Sequence, residues 1–202
     1  MKLYFAPGAC SLNPHILLRE AGLKFDMVKV DLAAHKTATG ADYYGINPKG
    51  YVPALELDNG QTLTENPAIA QYIADQKPDA KLAPANGTLE RYRLQEWLGF
   101  IGTEIHKSFG PLFYPTTPEA EKKAVHEKLG KRFEFLAKNL EGKQYLMGDT
   151  FTAADSYAFV MLQWANSLKV DLSRFPALKA YHERITARPA VKAALDAEKA
   201  AG

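Results

Sequence analysis

The chain has 202 residues, of which 47% are apolar, and its 25 basic and 23 acidic side chains give a net charge of +2. This composition is typical of a folded globular protein and excludes a disordered chain. The small net charge gives no reason to expect nucleic acid or an anionic membrane as a partner. The single cysteine excludes internal disulfides. Since we also find no signal-peptide core or membrane-spanning run, we expect a cytoplasmic protein.

The first 22 residues contain that cysteine, Cys10, and predict a strand, a tight turn and a helix. Residues 2–6 are apolar and aromatic, as in a buried strand, and Pro7-Gly8 is a turn signal. Apolar side chains then recur every three or four residues until Gly22, which suits a helix end. Cys10 is therefore expected just before a helix N-terminus.

Two interpretations of Cys10 follow from this position. A helix N-terminus favours negative charge, so a thiol there ionises more easily and becomes reactive. The alternative is a small buried apolar residue, which is a common environment for a cysteine outside a disulfide. The local sequence leaves both open. Because no second thiol follows in a C-x-x-C pair, any sulfur that reacts with Cys10 must come from outside the chain.

The remainder of the first 80 residues predicts a small mixed sheet. Further strands are expected at 25–32, 51–57 and 61–64. The last two are joined by a hairpin turn and are antiparallel, and residues 33–44 predict a loop with a short helix. Pro53 suits a strand start, where base rates favour a trans bond. Asn66 suits the N-cap of the next helix and Pro67 its first turn.

Residues 79–87 lack periodicity and contain Pro84 and Gly87, so we place a domain boundary there, between residues 1–80 and 88–202. The second part reads as helical throughout. Its helices are predicted at 88–113, 119–140, 152–168, 175–188 and 189–200. The segment from Thr152 to Asp155 resembles a capping box.

The helix predicted at 88–113 has an unusual face, because several small residues recur along it at helical spacing. These residues, with one histidine among them, are Gly99, Gly102, Thr103, His106 and Gly110. An interior glycine costs about 1 kcal/mol relative to alanine, so the face is expected to meet a close neighbour: another backbone, a second subunit or a ligand. A helix-packing seam with a structural His106 is the alternative.

Taken together, the order of elements with Cys10, Val52-Pro53, Glu65-Asn66 and the capping box resembles a cytosolic glutathione transferase. Three stretches resemble the bacterial beta class of this family more closely: MKLYFAPGACSLNPH, NPKGYVPALELDNG and EIHK. The likeness covers essentially the whole chain. It implies an α/β thioredoxin-like N-terminal domain (βαβαββα) followed by an all-α C-terminal domain.

The resemblance also implies a site, with glutathione as co-substrate and no metal. A cis Val52–Pro53 bond would present the valine backbone to the cysteinyl part of glutathione, and Glu65 would hold its γ-glutamyl ammonium. Cys10 and His106 are the implied catalytic residues, and Phe109 and Phe113 would line the electrophile pocket. The residues implied to contact glutathione are Cys10, Ser11, His35, Val52, Pro53, Glu65, Asn66, Gly99, Thr103, Glu104, His106 and Lys107.

Four positions depart from the family pattern. His35 stands where a lysine usually meets the glycyl carboxylate, which predicts a weaker contact that depends on pH. Tyr51 replaces a frequent glutamine, Asn66 a serine or glycine, and Gly99 an asparagine. We therefore expect a lower affinity for glutathione than is usual.

The sequence thus predicts a homodimeric glutathione transferase that joins glutathione to small apolar electrophiles between its two domains. Monothiol disulfide exchange through Cys10 is expected as a second role. The alternative is a non-catalytic protein of the same fold, either a binding protein for glutathione or another ligand or a regulatory protein. The joint presence of Cys10, Pro53, Glu65 and His106 argues for the enzyme.

Overall fold

The computed structural model describes residues 1–202, and its strands form one five-stranded sheet in the order β3-β2-β1-β4-β5. The strands are β1 (Lys2–Phe5), β2 (Asp26–Asp31), β3 (Lys36–Thr37), β4 (Ala54–Glu56) and β5 (Thr62–Thr64). Only β1 and β2 are parallel, because a helix connects them, whereas the other neighbouring pairs are antiparallel.

Seven α-helices accompany the sheet. They are α1 (Leu12–Glu20), α2 (Asn66–Gln76), α3 (Leu89–Phe100), α4 (Glu119–Asn139), α5 (Ala153–Ser167), α6 (Pro176–Thr186) and α7 (Pro189–Ala201). None of these helices combines the length and the apolar character that crossing a membrane would require.

The chain divides into two compact units, and the last helix belongs to the first of them. The first unit consists of residues 1–83 and 188–202, and the second of residues 84–187. The sequence prediction assigned residues 188–202 to the second domain. In the structure α7 packs on α1, with Val191 and Ala194 fully buried, so this helix covers apolar surface of the first unit.

Helix α1 is buried nearly all round, because it packs against β1, α2 and α7. Leu3 of β1 and Leu55 of β4 are fully buried, as are Ile16 and Leu17 of α1. The core of the first unit therefore lies directly beneath the turn that precedes α1.

The second unit is all-helical, and the cap of α5 contains a fully buried carboxyl group. Asp155 is fully buried and accepts hydrogen bonds from the backbone N–H groups of Thr152 and Leu146 and from the Tyr181 hydroxyl. Thr152 and Asp155 form the capping box that the sequence predicted. Burial raises the pKa of Asp155, and these donors oppose that shift.

The helix predicted at 88–113 is regular only as far as Phe100. A π-helical turn follows at Ile101–Ile105, and a 3₁₀ segment runs over His106–Phe113. Glycine has low helix propensity and Pro111 lacks a backbone N–H, so this stretch holds an α-helix poorly. The α-helical spacing assumed for the small-residue face does not continue through it.

Two smaller differences occur in the first unit. The short helix predicted within 33–44 is instead strand β3 followed by one 3₁₀ turn, Tyr43–Gly45. The N-cap of α2 is Glu65 rather than Asn66, and its backbone has a positive φ of 72°. The sequence favoured Asn66 because asparagine caps well and proline commonly occupies the first helical position.

Candidate active site

Cys10 lies in the turn between β1 and α1, two residues before the helix begins. Its side chain is only 9% exposed, and its thiol donates a hydrogen bond to the carbonyl of Val52, with Sγ and O 3.3 Å apart. The peptide bond between Val52 and Pro53 is cis, as the family resemblance implied. The structure therefore brings Cys10 into contact with Val52, a second residue of the predicted site that lies 42 positions further along the chain.

Ser11, by contrast, points inward. It is fully buried, and its hydroxyl lies 3.2 Å from both the backbone nitrogen and the backbone carbonyl oxygen of Ala6, accepting from the first and donating to the second. The side chain therefore satisfies the backbone beneath the turn, and the contact of Ser11 with glutathione stays a prediction.

A buried polar network holds the same turn from below. The backbone N–H of Gly8 donates to Glu198 Oε2 (2.9 Å), and His15 Nδ1 lies 3.2 Å from Glu198 Oε1. Arg19 Nε donates to His15 Nε2 (2.8 Å), so Nδ1 carries the ring hydrogen and donates to the carboxylate. Gly8 has a φ of 73°, which suits glycine. The turn that carries Cys10 is thus anchored to α7.

Glu65 stands at the start of α2 with a half-exposed side chain. Its Oε1 lies 2.6 Å from Lys49 Nζ and accepts a hydrogen bond from the Tyr51 hydroxyl (2.7 Å). These contacts are the largest cause of the raised pKa of both Lys49 and Tyr51. Asn66 is buried, and its Oδ1 accepts from the Asn13 amide at 3.0 Å.

His35 is half-buried near the short strand β3 and has a positive φ of 49°. Its ring packs on the Tyr44 ring, with centroids 4.4 Å apart, and its Nε2 lies 3.1 Å from the Tyr44 hydroxyl. A methyl group added at Gly50 would lie 2.7 Å from the Tyr44 ring, so the two aromatic rings lie against a backbone that only glycine allows.

In the second unit, His106 belongs to an aromatic cluster. Its Nδ1 lies 2.5 Å from the Tyr157 hydroxyl, and its ring stands edge-on to Trp164 with centroids 4.9 Å apart. Phe109 and Phe113 also pack edge-on against Trp164. The members of this aromatic cluster are His106, Phe109, Phe113, Tyr157 and Trp164. A hydrogen bond at Nδ1 fixes the orientation of the imidazole ring.

The other residues predicted on this segment are arranged differently. Glu104 forms an ion pair with Arg132 at 2.7 Å, and the Thr103 hydroxyl donates to the Gly99 carbonyl at 3.0 Å. Lys107 is exposed. A Cβ at Gly99 or Gly110 would meet nothing within 4 Å. A close neighbour in the same chain therefore does not explain these two glycines.

Phe109 and Phe113, which were predicted to line one pocket, differ in exposure. Phe109 is fully buried, whereas Phe113 is 47% exposed. The sequence prediction also missed Tyr157 and Trp164 as neighbours of His106. They lie seven residues apart on α5, which places them on one helix face, and this spacing was the available signal.

Comparison with known proteins agrees with this architecture. The family model for the glutathione S-transferase N-terminal domain matches residues 8–76, and that for the C-terminal domain matches residues 97–189. Glutathione S-transferase GstA of Escherichia coli O157:H7 is 46% identical over 198 residues, 98% of each chain.

Two solved structures are also similar. A beta-class glutathione S-transferase of Sphingomonas chungbukensis has a TM-score of 0.95 at 55% identity, with 98% of each chain covered. A sphingomonad glutathione S-transferase complexed with glutathione has a TM-score of 0.95 at 53% identity, covering 98% of this chain and 99% of that one.

A thioredoxin-like unit with a thiol at the first helix, followed by a helical unit, defines a class of glutathione-using enzyme. The chain belongs to the glutathione S-transferase family, within its bacterial beta class. The predicted fold class and the predicted glutathione transferase activity are confirmed.

Proposed function

We propose that the enzyme conjugates glutathione to small apolar electrophiles and that Cys10 also exchanges disulfides with glutathione. The observation that carries the proposal is the contact between the Cys10 thiol and the Val52 carbonyl. It puts the single thiol of the chain against the backbone that would pair with the cysteinyl part of glutathione, as an added strand pairs with a sheet edge.

The two ends of glutathione would meet groups of opposite charge. Glu65 offers a half-exposed carboxylate to the γ-glutamyl ammonium. The N-terminus of α2, with Asn66 beside it, suits the γ-glutamyl carboxylate, because backbone N–H groups there attract anions. His35 would meet the glycyl carboxylate, and this contact would strengthen when its imidazole is protonated.

For conjugation, the glutathione thiolate attacks an electrophilic carbon and the leaving group departs with the electron pair of the broken bond. With a chlorinated nitrobenzene the leaving group is chloride. The protein contributes by positioning both reactants and by favouring the thiolate. In the second unit, Phe113 offers an exposed apolar ring that packs on Trp164, and His106 packs on the same Trp164 and contacts the Tyr157 hydroxyl.

For exchange, the Cys10 thiolate attacks one sulfur of oxidised glutathione. A mixed disulfide forms, and the other half leaves as a glutathione thiolate. Because the chain has no second cysteine, a thiol from solution must attack the glutathione sulfur of the mixed disulfide, so that Cys10 leaves as a thiolate and the glutathionyl group ends on that thiol as a new disulfide. Each cycle therefore consumes one oxidised glutathione and one thiol and yields one reduced glutathione and one new mixed disulfide, with no net change in the number of disulfides.

The test compares wild type with Cys10→Ala, and Ser156→Ala supplies a control for a small buried substitution elsewhere. We expect oxidised glutathione to add one glutathionyl group to wild type and to the control, but none to Cys10→Ala, by intact-protein mass spectrometry. An adduct on Cys10→Ala, or none on wild type, contradicts exchange at Cys10. Absence of both conjugation of a chlorinated nitrobenzene and retention on immobilised glutathione would favour a non-catalytic protein.

We also infer that two copies of the chain associate, as the family resemblance implies. Support comes from an aromatic surface in the second unit, where Trp97, Phe100 and Phe135 line a cavity of about 570 Å³. Phe135 is 48% exposed, and a contiguous exposed apolar surface of this kind is typical of an interaction site. Light scattering should give twice the mass of one chain, and Phe135→Asp should lower it.

A further inference from the structure

We propose that Tyr51 is a positioning residue that holds Glu65 in place for the γ-glutamyl ammonium of glutathione. This inference rests on the proposed function, in which Glu65 holds that ammonium. Tyr51 stands where a glutamine is frequent in the family pattern. Two features support the assignment: the anchoring of the Tyr51 backbone and the contact of its hydroxyl.

The Tyr51 backbone is fixed by two buried donors. Its carbonyl accepts hydrogen bonds from the Asn47 amide at 2.7 Å and from the Tyr43 hydroxyl at 3.1 Å. Asn47 is 1% exposed and Tyr43 is fully buried, so both donors belong to the packed interior of the first unit. The main chain at residue 51 is therefore held in one position, although its side chain is 41% exposed.

From that fixed backbone the tyrosine side chain reaches Glu65. The hydroxyl donates to Glu65 Oε1 at 2.7 Å across 14 residues of sequence. This hydrogen bond is the largest cause of the raised pKa of Tyr51, so the phenol keeps its hydrogen and stays a donor at neutral pH. A donor to a carboxylate restricts the rotamers of an otherwise mobile, half-exposed side chain.

Lys49 contributes a second contact to the same oxygen. Its ammonium lies 2.6 Å from Glu65 Oε1, and it also donates to Thr64 Oγ1 at 3.0 Å. The Lys49 ammonium also lies 6.0 Å from the centre of the Tyr51 ring. Lysine is a flexible point charge, whereas the planar phenol projects its hydroxyl in a fixed direction. Orientation of the carboxylate is therefore assigned to Tyr51.

The expected consequence is specific to one end of the ligand. Cysteinylglycine lacks the γ-glutamyl group but keeps the thiol and the glycine. If Tyr51 acts through Glu65, removing its hydroxyl should impair the use of glutathione and leave the use of cysteinylglycine unchanged. A general loss of folding or of thiol reactivity would instead lower the use of both thiols together.

The experiment measures kcat/KM for glutathione and for cysteinylglycine, with a chlorinated nitrobenzene as the electrophile, in wild type, Tyr51→Phe and Tyr44→Phe. The Tyr44 variant is the matched control, since that hydroxyl contacts His35 at the predicted glycyl end. For Tyr51→Phe we expect the preference for glutathione over cysteinylglycine to fall about three- to tenfold, through KM and with little change in kcat. Tyr44→Phe should leave this preference within about twofold.

Glu65→Gln and the double variant with Tyr51→Phe separate this inference from the proposed function. If Glu65→Gln lowers the preference for glutathione over cysteinylglycine, and the double variant lowers it no further, the two residues act as one unit. If Glu65→Gln lowers the preference and Tyr51→Phe alone does not, the positioning role is overturned and the proposed glutathione site stands. If Glu65→Gln leaves the preference unchanged, the role of Glu65 in the proposed function fails, and the inference fails with it.

Discussion

The turn that carries Cys10 and the rim formed by Lys49, Tyr51 and Glu65 belong to the same unit but are built in opposite ways. Beneath the turn, the supporting side chains of His15 and Glu198 are buried, and Glu198 reaches the turn from 190 residues away in the sequence. On the rim, Lys49 and Tyr51 meet Glu65 from 16 and 14 residues away, with all three side chains substantially exposed.

The difference separates stability from recognition. Hydrogen bonds to a buried carboxylate stabilise the fold, because losing the acceptor leaves buried donors without a partner. Contacts between exposed charged groups contribute little to folding, since water and salt screen them. The turn is thus expected to control stability and the location of the thiol, and the rim to control affinity for the ligand.

The largest effect is expected for Glu198→Ala. The substitution removes the acceptor of the Gly8 N–H and of the His15 ring, and the His15 side chain is fully buried. The free energy of unfolding should fall by about 3 kcal/mol, measured by urea denaturation. Asp196→Ala, an exposed position on the same helix, is the control and should change it by less than about 0.5 kcal/mol. Equal losses in the two variants would remove the distinction between turn and rim.

An intermediate effect is expected at alkaline pH, from buried tyrosines. Burial raises the pKa of Tyr43 to about 12, above the ordinary value of 10.0. The unfolded chain therefore loses this proton before the folded protein does. The resulting stabilisation is complete below pH 10 and is lost as the pH rises through 12.

Urea denaturation across this range should show Tyr43 contributing about 2 to 3 kcal/mol to the fall in the free energy of unfolding, and Tyr43→Phe should lack that part. Tyr51→Phe is the matched comparison, because its tyrosine is exposed on the rim. The pKa of Tyr51 is raised mainly by its hydrogen bond to Glu65, at an exposed position, so Tyr51→Phe should change the alkaline slope less than Tyr43→Phe does. If Tyr51→Phe reduced the alkaline loss of the free energy of unfolding more than Tyr43→Phe did, the exposed rim tyrosine and not the buried one would carry the pH dependence, contrary to this account.

The smallest effect is expected for Lys49→Met, which removes the ion pair with Glu65. Both side chains are about half exposed, so the free energy of unfolding should change by less than about 0.5 kcal/mol. Thermal denaturation at low and at physiological salt provides the measurement. A loss above about 1 kcal/mol would mean that the rim also supports the fold.

Much of the first unit follows from local patterns, because strand, turn and helix signals near Cys10 depend on neighbouring residues. The partners of those elements do not follow from them. Glu198 appears in the sequence as one charge of the helix predicted at 189–200, and only the packing of α7 on α1 brings it to Gly8. Ser11 likewise has no local signal for pointing inward.

Elements beyond the domain boundary show the same limit. The capping box of α5 was predicted because its partners, Thr152 and Asp155, lie three residues apart. The π-helical turn after Phe100 was missed, since hydrophobic periodicity assumes one helical repeat throughout. Tyr157 was not linked to His106, because 51 residues separate them and only tertiary packing brings them together.

Alkylation of Cys10 with and without S-methylglutathione tests the central claim most directly, because the only thiol in the chain is then the only site that reports. We expect iodoacetamide at neutral pH to modify the folded protein faster than the urea-unfolded chain, and the glutathione analogue to slow that reaction at least about tenfold. Folded protein that reacts no faster than the unfolded chain, at a rate the analogue does not change, would contradict a reactive thiol at a glutathione site.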